Sequence, residues 1–588
     1  MLWEDALFDA QKVIELKPSS HVGYQVKHAA LYGAQCYDEA IAAFQMMLAK
    51  LDSAHDTEIR TLRKQYVSPS EGEGVIRKVI DIQLGTAPLR LLNTATGLLC
   101  DREAQISAFK KSTEYNELLL SIMKRADLRA ERIEEAVATY FSCVMLSHRW
   151  EGKEPLLHDV KDKDIYELQA AGGLVKLKSF CDIVRSKTNY QWAWVDSCCI
   201  DQTNNVELQT SLDSMFAWYH DSALTIVYLS DVPPSSQPGA LANSAWNTRG
   251  WTVPEFLAPQ TILFYQQDWT LYLNDESLNH KKSSEIMNEL QDATGIAARA
   301  LADFKPETIG DAREKLQWAS KRVTTRPEDI AYSLFGIFGV RLPIHYGENK
   351  QNALGRLLQE IVARSGDITA LDWVGQPSTF NSCLPADISS YTAPPFNQPS
   401  LSDDEIQAAV SSLRNTVAME LASNFYDQLD NMSAPRFANC RLHLPCIAFR
   451  LTEVRRRYGP AHETHFTYGV KADGLRDLLI TTEETLTQFS RARPARHAFF
   501  LVRPWDRRTL DEYDFAEQAD SDAESLGDWS EPGSPIEEEL EDSESHSRAL
   551  RLMVRLGQPF GAFFLAQQRG GEYKRIASDH DIIAQVKD

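Results

Sequence analysis

The chain has 588 residues, 43% of them hydrophobic, enough apolar material for buried cores and for about three or four domains. Its net charge of −22 argues against a general nucleic-acid binder. Fifteen of the carboxylates fall between Asp511 and Ser545, where no Lys or Arg occurs, which leaves an ordinary −7 for the rest. The nine cysteines contain no C-x-x-C pair, and Cys198 and Cys199 are adjacent, so the thiols read as small buried side chains of a reducing compartment. Met1 leads into an amphipathic helix rather than a secretory leader, and no apolar run nears the roughly 18 residues that span a bilayer. The expected location is cytoplasmic, with no membrane segment and no nucleic-acid partner.

The N-terminal residues repeat. "WEDALFDAQKVIELKP" from Trp3 and "YDEAIAAFQMMLAKLD" from Tyr37 align at an offset of 34, pairing Trp3 with Tyr37, Ala6 with Ala40 and Ile14 with Leu48. Small residues between them (Gly23, Ala30, Gly33) suit close helix packing. Residues 1–66 therefore resemble a tetratricopeptide (TPR) array that starts on a second helix. The resemblance implies either a protein-binding groove or a packing module. "SPSEGEG" (Ser68 to Gly74) reads as a linker. Residues 75–138 read as a short hairpin turning at Asn93 to Gly97, followed by two or three helices.

From Thr139 the pattern alternates. Strands are expected at Thr139–Ser147, in "YQWAWVDS", at Ala223–Val232 and in "QTILFYQQ". Helices are expected at Gly172–Lys187, in "NNVELQTSLDSMFAWYHDS" with Val206, Leu212, Met215, Phe216 and Tyr219 on one face, and in "SAWNTRGWTVPEFLAP". That order specifies a parallel sheet with helices on both faces. Polar groups gather at the carboxyl ends of such strands: Ser147, His148, Arg149 and Trp150 after the first, Asp196, Asp201 and Gln202 after the second, Ser230 and Asp231 after the third. Arginines, carboxylates and tryptophans in one place can hold a nucleotide-like or sugar-like ligand, or form an ion network that pins loops.

"VMLSHRW", "WAWVDSCCIDQTNN", "SALTIVYLSDV" and "WNTRGWTVPEFLAP" resemble, in order and spacing, the motifs of the HET (heterokaryon incompatibility) domain of filamentous fungi. The domain is placed at residues 139–275. Two departures stand out. Family members often have Tyr-x-Trp-Gly where this chain has His148-Arg149-Trp150-Glu151-Gly152, and Leu-Gln-Glu where it has Val253-Pro254-Glu255. The resemblance implies non-self recognition at hyphal fusion, ending in programmed cell death. It also implies a TIR-like, flavodoxin-like sheet, since HET domains are distantly similar to TIR domains. Some TIR domains cleave NAD with a helix-borne glutamate, which would make Glu255 catalytic. Arg149, Trp150, Asp196, Asp201, Gln202, Arg249 and Trp251 would then line the ligand. A carboxylate there would stabilise the positive charge that develops on the ribose as nicotinamide leaves. NAD enters as a substrate, and no cofactor is required. The alternative is a non-catalytic interaction and signalling module, with Glu255 in a salt bridge to Arg249 or Arg149 and Trp251 in the core.

Residues 276–370 form a helical extension typical of HET proteins, recognised by "LQWASKRVTTRPEDIAYSLFGIFGVRLPIHYGE" and "NALGRLLQEIVARSGDITALDW". Its Lys321, Arg322, Arg326, Glu328 and Asp329 read as a salt-bridged cluster. Residues 371–588 read as a helix at 403–430 followed by a mostly antiparallel β region, with "ALRLMVRLGQPFGAFFLAQQ" taken as strand. The acidic stretch 511–545 is expected to be a disordered insertion. "HETH" (His462 to His465) lacks zinc-helix spacing and no other metal pattern occurs; there is no P-loop and no G-x-S-x-G elbow. The fold class is thus multidomain α/β: TPR-like hairpins, a TIR-like parallel sheet, a helical extension and a C-terminal antiparallel β region. Partners are expected to be proteins bound by the TPR-like and C-terminal regions, with self-assembly through the HET domain.

Overall fold

Side-chain caps set the starts of the N-terminal helices. Ser20, Asp56, Ser68, Asp101 and Ser112 each accept a hydrogen bond from a backbone N–H of the first turn that follows. The computed structural model describes residues 2–127, 129–306, 311–396, 419–457, 465–473, 475–486, 498–506, 536–568 and 571–586, besides 402, 404, 405, 407 and 408. The chain divides into two units: residues 1–247 with 254–304, and residues 248–253 with 305–588.

In the first unit the helices Leu2–Leu16, His21–Gly33 and Tyr37–Asp52 pack consecutively. Phe44, Met47 and Leu51 share a core with Ile76, Ile80, Phe109 and Leu119 of later helices. The expected linker at Ser68–Gly74 is instead the start of the helix Pro69–Thr86. Ser68 and Glu71 cap each other's backbone in a capping box, with proline in the first turn. The Ser-Pro-x-Glu signal outweighs the two glycines.

The sheet of this unit has the order β2-β1-β4-β3-β5-β6. Its strands are β1 (Arg90–Asn93), β2 (Leu99–Asp101), β3 (Cys143–His148), β4 (Trp192–Trp194), β5 (Leu224–Tyr228) and β6 (Ile262–Tyr265). β4, β3, β5 and β6 run parallel, in the register Val144 to Ala193, Val144 to Leu224 and Ile226 to Leu263. The hairpin β1–β2 turns where expected, with Asn93 Oδ1 accepting from the N–H groups of Ala95 and Thr96. It adds to the sheet antiparallel, β1 against β4.

Three details of the alternating region differ from expectation. The first parallel strand begins at Cys143, because Ile133, Val137 and Phe141 form the buried stripe of a helix, Ala130–Phe141, that runs through Thr139. The "SAWNTRGWTVPEFLAP" helix is two short pieces, a 3-10 turn at Ala245–Thr248 and the helix Thr252–Leu257. In the helix Asn205–Asp221 the buried face is Glu207, Ser211, Met215, Trp218 and Tyr219, while Val206 is 76% exposed. Glu207 is drawn inward by the guanidinium of Arg90, which bonds both of its carboxylate oxygens, and Glu207 Oε1 also accepts from Asp201 N–H at 2.7 Å. This pair ties the edge hairpin to the loop after β4.

In the second unit the helices Ala312–Ala319, Asp329–Tyr332, Phe335–Phe338 and Lys350–Ser365 precede an antiparallel sheet of order β13-β16-β11-β10-β9-β12-β14-β15. Its strands are β9 (Cys446–Arg457), β10 (Phe466–Ala472), β11 (Leu475–Thr482), β12 (Phe499–Pro504), β13 (Phe560–Gly561), β14 (Phe563–Gln567), β15 (Tyr573–Ile576) and β16 (Ile582–Val586). β7 (Arg436–Ala438) and β8 (Arg441–His443) form a separate hairpin. The antiparallel expectation holds. "ALRLMVRL", however, ends a helix, Ile536–Leu556. Ala549 and Leu552 reach the sheet core beside Leu478, Leu501 and Phe564, and the helix Met419–Asp430 adds Ala422, Tyr426 and Leu429. This stretch is apolar at alternate positions as well as at helical spacing, so period alone misassigns it. The acidic segment is helical from Ile536 on, while its residues 511–535 lie outside the described residues, as do 458–464 of the "HETH" region and 409–418 of the expected helix at 403–430.

Arg575 anchors this unit internally. Its guanidinium donates to the carbonyls of Leu371 (2.9 Å) and Trp373 (3.0 Å) and stacks on the rings of Trp373 and Phe563, and its burial lowers its pKa to about 10.

Two stability experiments follow. Glu207→Ala should lower the unfolding free energy by about 2 kcal/mol, since it strips the partner from a half-buried guanidinium. Val206→Ala next to it should stay within about 0.5 kcal/mol, as exposed substitutions do; denaturant titration of the two variants checks both. Arg575→Lys should cost about 2 kcal/mol in the same assay, because an ammonium cannot bond two carbonyls and stack on two rings at once.

Candidate functional site

The carboxyl ends of β3, β4 and β5 carry two polar networks. Alternation along β3 turns Ser147 and His148 to opposite faces, and each serves one of them.

The first network is internal. Ser147 Oγ–H donates to Glu255 Oε2 at 2.5 Å and accepts from Trp246 Nε1–H at 2.9 Å. All three residues are buried, Glu255 to 2% exposure. Trp246 packs against Phe256 and Phe264, so the indole that bonds Ser147 is held by aromatic neighbours. A carboxylate out of water persists only when hydrogen-bonded, and Ser147 supplies one such bond. Nearby, Asp231 accepts from Ser244 Oγ–H and Ala245 N–H, which fixes the turn that presents Trp246.

The second network reaches the surface. Trp150, 36% exposed, donates its indole N–H to Asp196 Oδ2 at 2.9 Å. The buried His148 ring stands 3.9 Å from both Asp196 Oδ1 and Glu154 Oε2. Glu154 pairs with Lys176 at 2.6 Å, and Lys176 also donates to the carbonyl of Arg149. Glu154 accepts from Glu151 N–H, and Glu151 accepts from Ser230 Oγ–H. The helix Gly173–Lys187 comes close enough to deliver Lys176 because of its two glycines. Gly172 has φ +56°, and a Cβ on Gly173 would meet Glu154 Oε2 at 2.6 Å. The Arg149 side chain is exposed beside this network.

Between Trp194 and the helix Asn205–Asp221 lies the stretch that mixes apolar and acidic residues. Trp194 packs edge-on against Trp218 and Tyr219. Asp196–Cys199 is a single helical turn rather than the loop expected there, with Cys198 and Cys199 buried. The hydrogen bond to Cys199, and then burial, hold the Cys198 thiol well above its usual pKa, so it is protonated and not a nucleophile. Asp201 faces its own turn: Thr203 donates its N–H and its hydroxyl to Asp201 Oδ1, and these bonds keep its pKa low. Gln202 is half-buried on that turn.

The expected ligand residues take the following places. Arg149, Trp150 and Asp196 belong to the surface-reaching network, Glu255 to the internal one, and Asp201 and Gln202 to a turn. Arg249 and Trp251 belong to the second unit. There Trp251 Nε1–H donates to Asp329 Oδ2, Tyr346 donates to the other oxygen, and Arg326 stacks on Tyr346 at 4.0 Å. Burial raises the Asp329 pKa, and the two hydrogen bonds oppose that rise. The buried Arg322 donates to the carbonyls of Trp318 and Arg249 and to the Thr252 hydroxyl. The charged cluster of the extension thus does structural work. Glu154, Lys176 and Trp246 were missed as site residues. Glu154 lies just past the first motif and could have been included on that ground, whereas nothing in the local sequence singles out Lys176.

Residues 144–240 match the family described as Heterokaryon incompatibility protein (HET). The chain is 36% identical over 237 residues to the Vegetative incompatibility protein HET-E-1 of Podospora anserina, a match that covers 39% of this chain and 16% of that protein. The chain thus spans well under two thirds of the length of the curated relative it matches. No solved structure gives a significant match. The motifs that converge on the ends of β3, β4 and β5 are those of this family, and the chain is a HET domain-containing protein.

Proposed function

We propose that this chain is a heterokaryon-incompatibility protein whose HET domain works as a non-self-recognition signalling module, with programmed cell death as its output. The family match and the relative's name support the biological role. The observation that carries the molecular reading is the 2% exposure of Glu255, with Ser147 bonded to its carboxylate and to the Trp246 indole. In this arrangement Glu255 is a brace. The accessible chemistry is the ridge of Arg149 and Trp150 over Asp196, which suits contact with a protein surface: tryptophan and arginine are the side chains that anchor interfaces.

A TPR-like partner-binding role for the N-terminal helices belongs to the same reading and is supported by their close packing. Gly33 lies against the Trp3 ring, where a Cβ would sit 2.4 Å from it, and Trp3 and Phe8 remain largely exposed. A second reading keeps the TIR-like chemistry, in which Glu255 hydrolyses NAD. It is favoured by one observation, that serine, tryptophan and glutamate come together at the strand ends. It requires the Thr252–Leu257 helix or Trp246 to move and open the carboxylate to substrate.

Purified full-length protein at high concentration, wild type beside Glu255→Gln, distinguishes the two readings. The signalling reading expects no NAD loss from either; loss by wild type alone would overturn it in favour of the enzyme. As a brace, Glu255 replaced by alanine should cost about 2 kcal/mol of stability, since the buried Ser147 hydroxyl loses the carboxylate it donates to. Thermal or denaturant unfolding reads this directly.

A further inference from the structure

The second unit holds a cluster that the incompatibility reading does not use. Glu484 lies just after β11, and Asp579 and His580 lie between β15 and β16. One ligand atom from each lies within 4.8 Å of the other two. The two carboxylates are exposed, while the His580 side chain is 4% exposed. Neither ring nitrogen of His580 makes a hydrogen bond, although Nδ1 stands 3.0 Å from Asp579 Oδ1. A buried polar group left in that state costs free energy and calls for a partner.

The backbone around the cluster is fixed. β11 and β16 pair in register, Thr482 opposite Ile582, and the Thr482 hydroxyl donates to the carbonyl of Glu484 at 2.6 Å. On the other side Ser578 is clamped to Gly375, its carbonyl accepting from Gly375 N–H at 2.6 Å and its hydroxyl donating to Gly375 O at 3.0 Å. A simple ion pair would need one carboxylate beside His580. A second carboxylate brought to the same imidazole adds repulsion that a cation would relieve.

We propose that Glu484, Asp579 and His580 bind a divalent first-row transition metal, of which zinc is the best fit. An imidazole among the ligands selects against Mg²⁺ and Ca²⁺, which take oxygen, and mixed nitrogen and carboxylate ligation suits Zn²⁺. Metal–ligand bonds of about 2.0–2.2 Å require the three atoms to draw in, which the exposed Glu484 and Asp579 side chains can do by rotation. Three protein ligands leave a coordination position for water or a small molecule. His580 also lines a cavity of about 230 Å³ with Arg503, Trp505 and Arg575, from which such a molecule could approach.

The test uses the full-length protein, stripped with chelator and then freed of it, titrated with Zn²⁺ by calorimetry and with Co²⁺ by visible absorption. The expected result is one ion per chain, bound with a Co²⁺ spectrum that lacks the thiolate charge-transfer band cysteine ligation would give. Glu484→Gln and Asp579→Asn, both isosteric changes at exposed positions, should each weaken binding by at least about tenfold. His580→Ala should abolish it. No uptake by wild type, a thiolate spectrum, uptake of Mg²⁺ in preference to Zn²⁺, or affinity unchanged in the two exposed variants would each overturn the assignment.

Discussion

The Ser147 hydroxyl is the group in the first unit on which the strand ends depend. It lies between an indole N–H and a carboxylate, accepting from one and donating to the other. A hydroxyl can do both; alanine or valine in its place would remove the Ser147 donor from Glu255 and the Ser147 acceptor from Trp246. The net worth of a single hydrogen bond is about 1 kcal/mol, and a bond to a buried carboxyl group stands at or above that figure. The constraint also fixes sequence far away. Trp246 must present its N–H rather than its ring edge, so Asp231 holds the turn before it by accepting from Ser244 and Ala245.

The edge of the sheet shows how a neighbouring element is recruited by charge. β1 pairs with β4 through few backbone positions, Leu92 with Ala193 and Asn93 with Trp192. So short a pairing gains its definition from Arg90, which reaches Glu207, the residue whose carboxylate also receives the Asp201 N–H. One ion pair thereby sets the position of the hairpin, the start of the helix Asn205–Asp221 and the turn after β4. Burial of the pair is partial, with Arg90 a quarter exposed, so its value lies as much in orientation as in free energy.

Much of this was legible in the residues. Runs of β-branched and apolar side chains gave the four parallel strands, and the tendency of such sheets to gather polar groups at the carboxyl ends of their strands gathered Ser147, Asp196 and Asp231. The illegible parts have specific causes. Val206 reads as core by hydropathy, but Arg90, more than a hundred positions earlier, turns the helix so that Glu207 is buried instead. Arg249 and Trp251 neighbour Glu255 in sequence, yet backbone bonds between Gly250 and Val323 and between Val323 and Thr248 hold their segment in the second unit. No local pattern announces either partner. "ALRLMVRL" satisfies both periods at once, and only the core it meets, around Leu501 and Phe564, decides for helix.

Glu255 and Trp150 were expected to share one site, and their separation follows from β geometry. Successive residues of a strand point to opposite faces, so a strand that ends Ser147-His148 delivers one polar group to each side of the sheet. Ser147 leads to a closed carboxylate, and His148 leads to Asp196 and, through it, to an indole at the surface. The two networks thus start from two adjacent residues of one strand, so a single step along β3 decides whether a polar group braces the interior or reaches toward the surface.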